Sequence, residues 1–148
     1  MASSRRKRFE RLLGLRDREL EQRKGDAARS RVARNESQEA LLKSQEALKQ
    51  AASGYRVGSG QSRMAADFEV VGAWLKQQVS EVEKAMIYHK QACERLRLTT
   101  LEVQKAQKAK RQIETLLLRV THEEDKERNV AEQKEQDELA TRLSFYRS

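Results

Sequence analysis

The sequence predicts an all-α protein, a long antiparallel two-helix coiled-coil hairpin with an overhanging C-terminal helix. The 148-residue chain contains no proline, the residue that most strongly interrupts helices. Apolar residues recur every seven positions in two ladders, and a segment rich in glycine and serine separates the ladders. Only 37% of the residues are hydrophobic and 5% aromatic. That content is too low for a globular interior but sufficient for the narrow seam between two helices.

The high charge content also suits a disordered chain, and the ladders decide between the two interpretations. Charged residues make up 36% of the sequence, a composition that disordered segments share. A disordered chain has no reason to repeat apolar residues in one register before and again after a glycine segment. The repetition therefore favours packed helices, and we interpret residues 1–148 as a single coiled-coil hairpin.

The first helix is expected to cover about residues 4–53. Its ladder is mostly apolar and consists of Leu13, Leu20, Ala27, Arg34, Leu41, Leu48 and Tyr55. Each heptad of a coiled coil has a second seam position, here called the companion position. We expect the companion positions four residues after the ladder positions, where most side chains are polar: Asp17, Lys24, Arg31, Gln38, Gln45 and Ala52. Such a stripe is thin, adequate for a seam between two helices but not for a core.

A loop at about residues 54–63 is expected to precede the second helix, which covers about residues 65–143. The second ladder is again mostly apolar and consists of Phe68, Leu75, Val82, His89, Leu96, Val103, Lys110 and Leu117. Flanking positions are occupied by Val71, Val79, Ala85, Met86, Ala92 and Cys93. Two ladders joined by a glycine loop predict that each helix covers the apolar stripe of the other.

The two helices have unequal lengths, so the second one should overhang. Folding back from the loop places residues near 4 beside residues near 114, and the last ~30 residues, about 45 Å of helix, then project beyond the first helix. Residues 121–128 are polar on all sides, as expected for a helix that carries charge pairs or docks into a partner. The candidate anchors for such a partner are Val120, Val130, Ala131, Leu139 and Leu143.

The charge is distributed unevenly along the chain. The formal net charge is +8, with the basic excess in residues 1–34 and an acidic excess in residues 121–148. A basic amino end suits nucleic acid, anionic lipid, an acidic protein surface or the acidic end of the same chain. No aromatic residues interleave with the basic ones in a recognised nucleic-acid motif, which disfavours nucleic-acid binding.

The single cysteine excludes an internal disulfide framework and suits a reducing, cytoplasmic environment. The basic start is not followed by the apolar run of a signal peptide, and no stretch approaches the ~20 apolar residues of a membrane span. We therefore expect a soluble cytoplasmic protein without a transmembrane segment.

The sequence contains no pattern typical of catalysis or of metal binding. A two-helix hairpin has no pocket that desolvates reacting groups. His89 and His122 are too far apart in sequence for a zinc motif. We therefore expect no enzyme activity, no cofactor and no metal. His89 is either a seam histidine or part of a partner-binding patch, and Cys93 is expected to be a small buried hydrophobe.

Three segments resemble the FliJ family of flagellar export proteins. Residues 9–21, FERLLGLRDRELE, resemble the family's opening, in which a Phe and Leu pair precedes an Arg-x-x-Glu run. Residues 83–89, EKAMIYH, are similar to its motif after the loop, and residues 131–142, AEQKEQDELATR, to its closing acidic stretch. Together these segments place the resemblance over almost the whole chain.

The resemblance implies a central stalk of a flagellar or injectisome type III export apparatus, similar to the coiled coil of rotary ATPases. Its implied partners are the export ATPase hexamer and the cytoplasmic domain of the export gate, with export chaperones as a further class left open. The implied location is the cytoplasm, peripheral to the inner-membrane export apparatus. By position, the gate-contacting residues would be Leu48, Tyr55, Val82, Ala85 and His89, whereas Ser44, Ala51 and Gln78 depart from the family pattern. The ring-contacting residues would be the overhang anchors given above.

Two alternatives stay open at this point. One is a generic coiled-coil scaffold or adaptor, which should self-associate through its thin stripes. The other is a basic helical protein that binds nucleic acid. A stalk is instead expected to be a monomer in isolation.

Overall fold

The chain forms two long helices that pack against each other. A computed structural model describes the backbone of residues 4–58 and 65–147 and the side-chain surroundings of residues 4–54 and 68–147. Helix α1 spans Ser4–Gly58 and has 55 residues, and helix α2 spans Ala65–Arg147 and has 83 residues. The described residues contain no strand. The predicted class, an all-α two-helix hairpin, is confirmed.

Both helices extend further than the sequence predicted. Helix α1 continues through Gly54 to Gly58 rather than ending near residue 53, and α2 ends at Arg147 rather than near 143. The extension through Gly54 is inexpensive, since a glycine inside a helix costs only ~1 kcal/mol relative to alanine. Of the predicted loop at 54–63, residues 59–63 lie outside the described residues.

The contacts divide the chain into two units, each with a segment of both helices. Unit 1 consists of Met1–Glu21 and Gln104–Ser148, and unit 2 consists of Gln22–Val103. Within unit 1 the helices run antiparallel, because residues that advance along α1 meet residues that recede along α2. Arg5 lies 3.8 Å from Glu123, and Asp17 lies 2.7 Å from Lys110.

Within unit 2 the seam consists mainly of small and polar side chains. Its buried residues are Ala27, Ser30, Ser37, Ala51 and Val82. A hydrogen bond crosses between the helices, from the ring of His89 to the hydroxyl of Ser37, at 3.0 Å. The α1 side of this seam contributes hydroxyl groups where a coiled coil ordinarily places large apolar residues.

The companion positions of the α1 ladder lie three residues after each ladder position, and the prediction of four was wrong. The half-buried and buried companions on α1 are Phe9, Arg16, Arg23, Ser30, Ser37, Ser44 and Ala51. On α2 they are Val71, Gln78, Ala85, Ala92, Thr99, Ala106, Ile113 and Val120, whereas Val79, Met86 and Cys93 are exposed. The two seam positions of a heptad are three apart in one direction and four in the other. Because most of the candidate residues on α1 are polar, the sequence did not show whether the companion position lies three or four residues after the ladder position.

The overhang begins about ten residues later than predicted. Arg6 meets Glu124 at 3.9 Å, and every described residue from 125 to 147 is exposed. The prediction paired residues near 4 with residues near 114, on the assumption that the chain folds symmetrically about the glycine segment. In the structure Val120 is buried in the seam, and the start of α1 therefore lies alongside α2 as far as Glu124.

No helix among the described residues is both long enough and apolar enough to cross a membrane.

Candidate partner-binding surfaces

The overhang, residues 125–147, is a single helix with solvent on all sides. Its local contacts include the ion pair of Arg128 with Asp125, at 3.9 Å, and the hydrogen bond of Gln133 to Asp137, at 3.3 Å. Such contacts within one exposed helix contribute only a few tenths of a kcal/mol each. A helix of this kind is available to a partner along its whole circumference.

Four of the five predicted ring-contacting residues lie on this overhang and are exposed: Val130, Ala131, Leu139 and Leu143. The fifth, Val120, is only 4% exposed and packs in the seam of unit 1. Val120 occupies a companion position of the α2 ladder, three residues after Leu117, which explains its burial.

Sequence reasoning missed two aromatic residues at the end of the overhang. Phe145 and Tyr146 are both highly exposed, and their rings meet edge to face with centroids 6.3 Å apart. Exposed aromatic side chains are typical anchors of protein interfaces. Tyr146 follows Leu139 and Leu143 at helical spacing, a signal that the sequence did contain.

Four of the five predicted gate-contacting residues lie in the seam of unit 2 rather than on an open patch. Val82 is buried, and Leu48, Ala85 and His89 are half-buried. The side chain of Tyr55 lies outside the described residues. A buried seam residue is available to a partner only when the two helices separate, so their role as binding residues stays a prediction.

His89 is held in the seam by a chain of hydrogen bonds. The hydroxyl of Ser37 donates to the carbonyl oxygen of Arg34 at 2.8 Å, so it accepts the bond from Nδ1 of His89. The Nε2 atom of the same ring then accepts from the thiol of Cys93, with sulfur and nitrogen 3.5 Å apart. This arrangement assigns the proton of the neutral ring to Nδ1.

Cys93 is exposed, so the expectation that it is buried was wrong. It follows the ladder residue His89 by four positions, whereas Ala92 follows it by three and takes the seam position. The cysteine is therefore placed beside the seam and in contact with solvent.

Large exposed side chains lie on α2 next to the seam of unit 2. Trp74 is 48% exposed and Tyr88 is 66% exposed, and Met86 is exposed as well. Aromatic residues with this exposure contribute most to binding when a partner excludes water from them. They are the stronger candidates for a binding surface in unit 2.

Two ion pairs shift the pKa of their members. The hydrogen bond to Asp17 raises the pKa of Lys110. On α2 of unit 2, the hydrogen bond from Arg97 lowers the pKa of Glu94. Both pairs are exposed to solvent, where such contacts are weakly stabilising and are screened by salt.

No protein-family model, curated protein or solved structure matches the chain.

Proposed function

We propose that this protein is a non-enzymatic central stalk of a bacterial flagellar or injectisome type III export apparatus. In this role it binds the export ATPase ring and couples it to the export gate. The location that belongs to this role is the cytoplasm, peripheral to the inner-membrane export apparatus. The proposal combines the resemblance of three sequence segments to the FliJ family with the geometry of the two helices.

The observation that carries the proposal is the unpaired helix after Glu124. A shaft inside a ring must present a side that the ring can contact at every angle, and residues 125–147 are exposed on all sides. Their charged groups favour contacts that are individually weak, ~1 kcal/mol or less in a solvated setting, so that no single contact locks the shaft. Leu139, Leu143 and Tyr146 supply apolar anchors on one side of this helix.

The gate-contacting surface is proposed to lie in unit 2. The exposed rings of Trp74 and Tyr88 flank the seam set of Leu48, Val82, Ala85 and His89, for which the resemblance implies gate contact. The exposed rings would make first contact, and the seam residues would support the position of the helix that carries them.

A truncation after Glu124 tests the stalk proposal. The truncated chain keeps every described contact between α1 and α2 in unit 1, including the pair of Arg6 with Glu124. We expect it to lose stimulation of a purified export ATPase while it keeps binding to the cytoplasmic domain of the gate. Circular dichroism and thermal unfolding should show the hairpin intact.

A matched pair of double variants narrows the test to the apolar side of the overhang. Leu139→Ala with Leu143→Ala should reduce ATPase stimulation, whereas Gln133→Ala with Gln136→Ala on the same exposed helix should leave it unchanged. Unchanged stimulation in the truncated chain would refute the stalk proposal.

A generic coiled-coil scaffold is the second candidate, and the exposed apolar residues of α2 favour it. Val70, Trp74, Ile87 and Tyr88 leave apolar surface that a second copy of the chain is able to cover. Sedimentation equilibrium at micromolar concentration separates the two candidates, since the scaffold is expected to dimerise and the stalk to stay monomeric.

A further inference from the structure

We propose that one side of the hairpin in unit 1 binds the anionic headgroups of a lipid surface. This side, the leucine–arginine face, is formed by Leu12, Leu15 and Leu116 and by the cations around them. The inference does not depend on the proposed function, because it concerns only the paired part of unit 1 and not the overhang.

The register of the helices brings the leucines together. Arg5 and Glu123 form an ion pair across this side, at 3.8 Å. In an antiparallel pair, one heptad forward on α1 matches one heptad back on α2, so Leu12 lies level with Leu116. Leu15 follows Leu12 by three residues and is 57% exposed, while Leu12 is half-buried and Leu116 is partly exposed.

Exposed cations surround these leucines. Arg8 precedes Leu12 by four residues and Arg119 follows Leu116 by three, so both share the side of the leucine that they flank. Lys108, Leu116 and Arg119 line one shallow groove on α2. Arg11 and Arg18 lie along the outer edge of α1.

These five cations lack partners within the described parts of the chain. Neither ion pairs nor hydrogen bonds involve their side chains, in contrast to Arg5, Arg6, Arg16 and Lys110, which pair with carboxylates. The other side of the same hairpin carries the carboxylates of Glu10, Asp17 and Glu114. That side also has the exposed cations Lys7 and Arg111, while the carboxylates on the leucine–arginine face, Glu19 and Glu123, each pair with an arginine. Unpaired positive charge is therefore greater on the leucine–arginine face, as a binding face for an anionic surface requires.

The mixture of side chains favours lipid over other polyanions. Nucleic-acid surfaces of proteins commonly use aromatic rings for stacking, and residues 4–21 and 104–124 contain no exposed Phe, Tyr or Trp. Protein interfaces are typically anchored by Trp, Tyr and Arg side chains, and this face offers arginines but no exposed aromatic ring. Leucines flanked by arginines on a helix are typical of elements that lie in the headgroup layer, with the leucines at its apolar boundary.

The cations are spread along the helix, which suits a membrane surface because its anionic headgroups are present along the whole length of the face. Arg8 and Arg18 are ten residues apart, which is ~15 Å along the helix axis. Each cation near an anionic membrane contributes ~1 kcal/mol, equivalent to about a fivefold gain in partition. Several unpaired cations on one side are thus sufficient for measurable binding.

Co-sedimentation of the full-length chain with extruded vesicles tests the proposal. We expect binding to vesicles of phosphatidylcholine mixed with phosphatidylglycerol, no binding to phosphatidylcholine alone, and a decrease as NaCl is added. Arg8→Gln with Arg119→Gln should lower the partition coefficient about 25-fold, for two charges. The matched control, Lys134→Gln with Arg142→Gln, removes two exposed charges from the overhang and should leave binding within about twofold.

A second variant separates lipid insertion from simple charge attraction. Leu15→Ser keeps the charge and should weaken vesicle binding several-fold while leaving binding to heparin unchanged. Equal losses in the two double variants would overturn the proposal, because they would mean that only net charge matters. Tighter binding to polyuridylate or to polyglutamate than to the anionic vesicles would overturn it in favour of a nucleic acid or an acidic protein.

Discussion

The two units hold their helices together with different chemistry. In unit 1, large apolar residues such as Leu20 and Val120 are buried, and ion pairs such as that of Arg5 with Glu123 cross the seam. In unit 2 most of the buried residues are alanines and serines, and a hydrogen bond between Ser37 and His89 crosses the seam. A two-helix seam therefore tolerates small and polar residues when hydrogen bonds satisfy them, but each such layer buries less apolar surface.

The largest loss of stability is expected on substitution of Leu20, which is 5% exposed in unit 1. Leu20→Ala should lower the free energy of unfolding by about 2 kcal/mol, because it removes buried methyl groups from a seam that has few of them. Urea denaturation followed by circular dichroism measures the loss.

Leu15→Ala is the matched control for Leu20→Ala, because Leu15 lies on the same helix in the same unit and is mostly exposed. Its effect should stay within ~0.5 kcal/mol. Equal effects of the two substitutions would contradict the claim that apolar burial in the seam holds unit 1 together.

The sequence predicted the two helices and both ladders because proline is absent and apolar residues recur every seven positions. It did not reveal the companion positions of α1, since Ser30, Ser37 and Ser44 give no apolar signal there. It also missed the register, which depends on contacts such as Asp17 with Lys110 that connect residues distant in sequence. The polar seam residues thus made the seam positions of α1 harder to predict than the helix itself.

The exposed candidate residues of the overhang were largely predictable, because a helix without a partner exposes every side chain. Val130, Leu139 and Leu143 required only the expectation that α2 outlasts α1. The seam residues of unit 2 were not separable from a surface patch in the same way. His89 was placed on the α2 ladder, but the sequence left open whether it lies in the seam or on a partner-binding patch, because the α1 stripe that would cover it is thin.

The second prediction concerns the hydrogen bond that crosses unit 2. Ser37→Ala removes the acceptor of the Nδ1 proton of His89, and it should cost ~1 kcal/mol more than Ser44→Ala. Ser44 is the matched control because its hydroxyl bonds only to the carbonyl of Ala40 on its own helix, at 2.9 Å, while the gain in helix propensity is the same. Thermal unfolding of both variants gives the difference.

His89→Leu completes this test as a double-mutant cycle. In the His89→Leu background the difference between Ser37→Ala and Ser44→Ala should vanish, since the polar group that needed an acceptor is gone. A difference that persists in this background would show that Ser37 stabilises unit 2 by packing and not through His89.

The third prediction is an increase in stability that a glycine-to-alanine substitution should produce in either unit. A Cβ atom added at Gly14 in unit 1 or at Gly72 in unit 2 meets no atom within 4 Å other than the adjoining helix backbone, and neither glycine has a positive φ. Gly14→Ala and Gly72→Ala should therefore each stabilise the fold by roughly 0.5–1 kcal/mol through helix propensity. A rise in melting temperature for one variant and a fall for the other would show that one of these glycines has a role beyond the helix backbone.

The smallest expected effect is a loss of stability at high pH that belongs to unit 1. The hydrogen bond to Asp17 raises the pKa of Lys110, and the charges of Glu114 and Glu21 raise it further. Because the folded-state pKa lies above the unfolded value of ~10.4, the contribution is complete below that pH and is lost as the pH rises through the folded-state pKa. Unfolding by urea at a series of pH values should thus show a decline in stability above pH ~10 that is shallower in Asp17→Asn. Glu114→Gln, which removes a charge with a weaker effect on the pKa of Lys110, should change this decline less than Asp17→Asn does. The reverse order would show that the surrounding charges of unit 1, and not the 2.7 Å contact with Asp17, raise the pKa of Lys110.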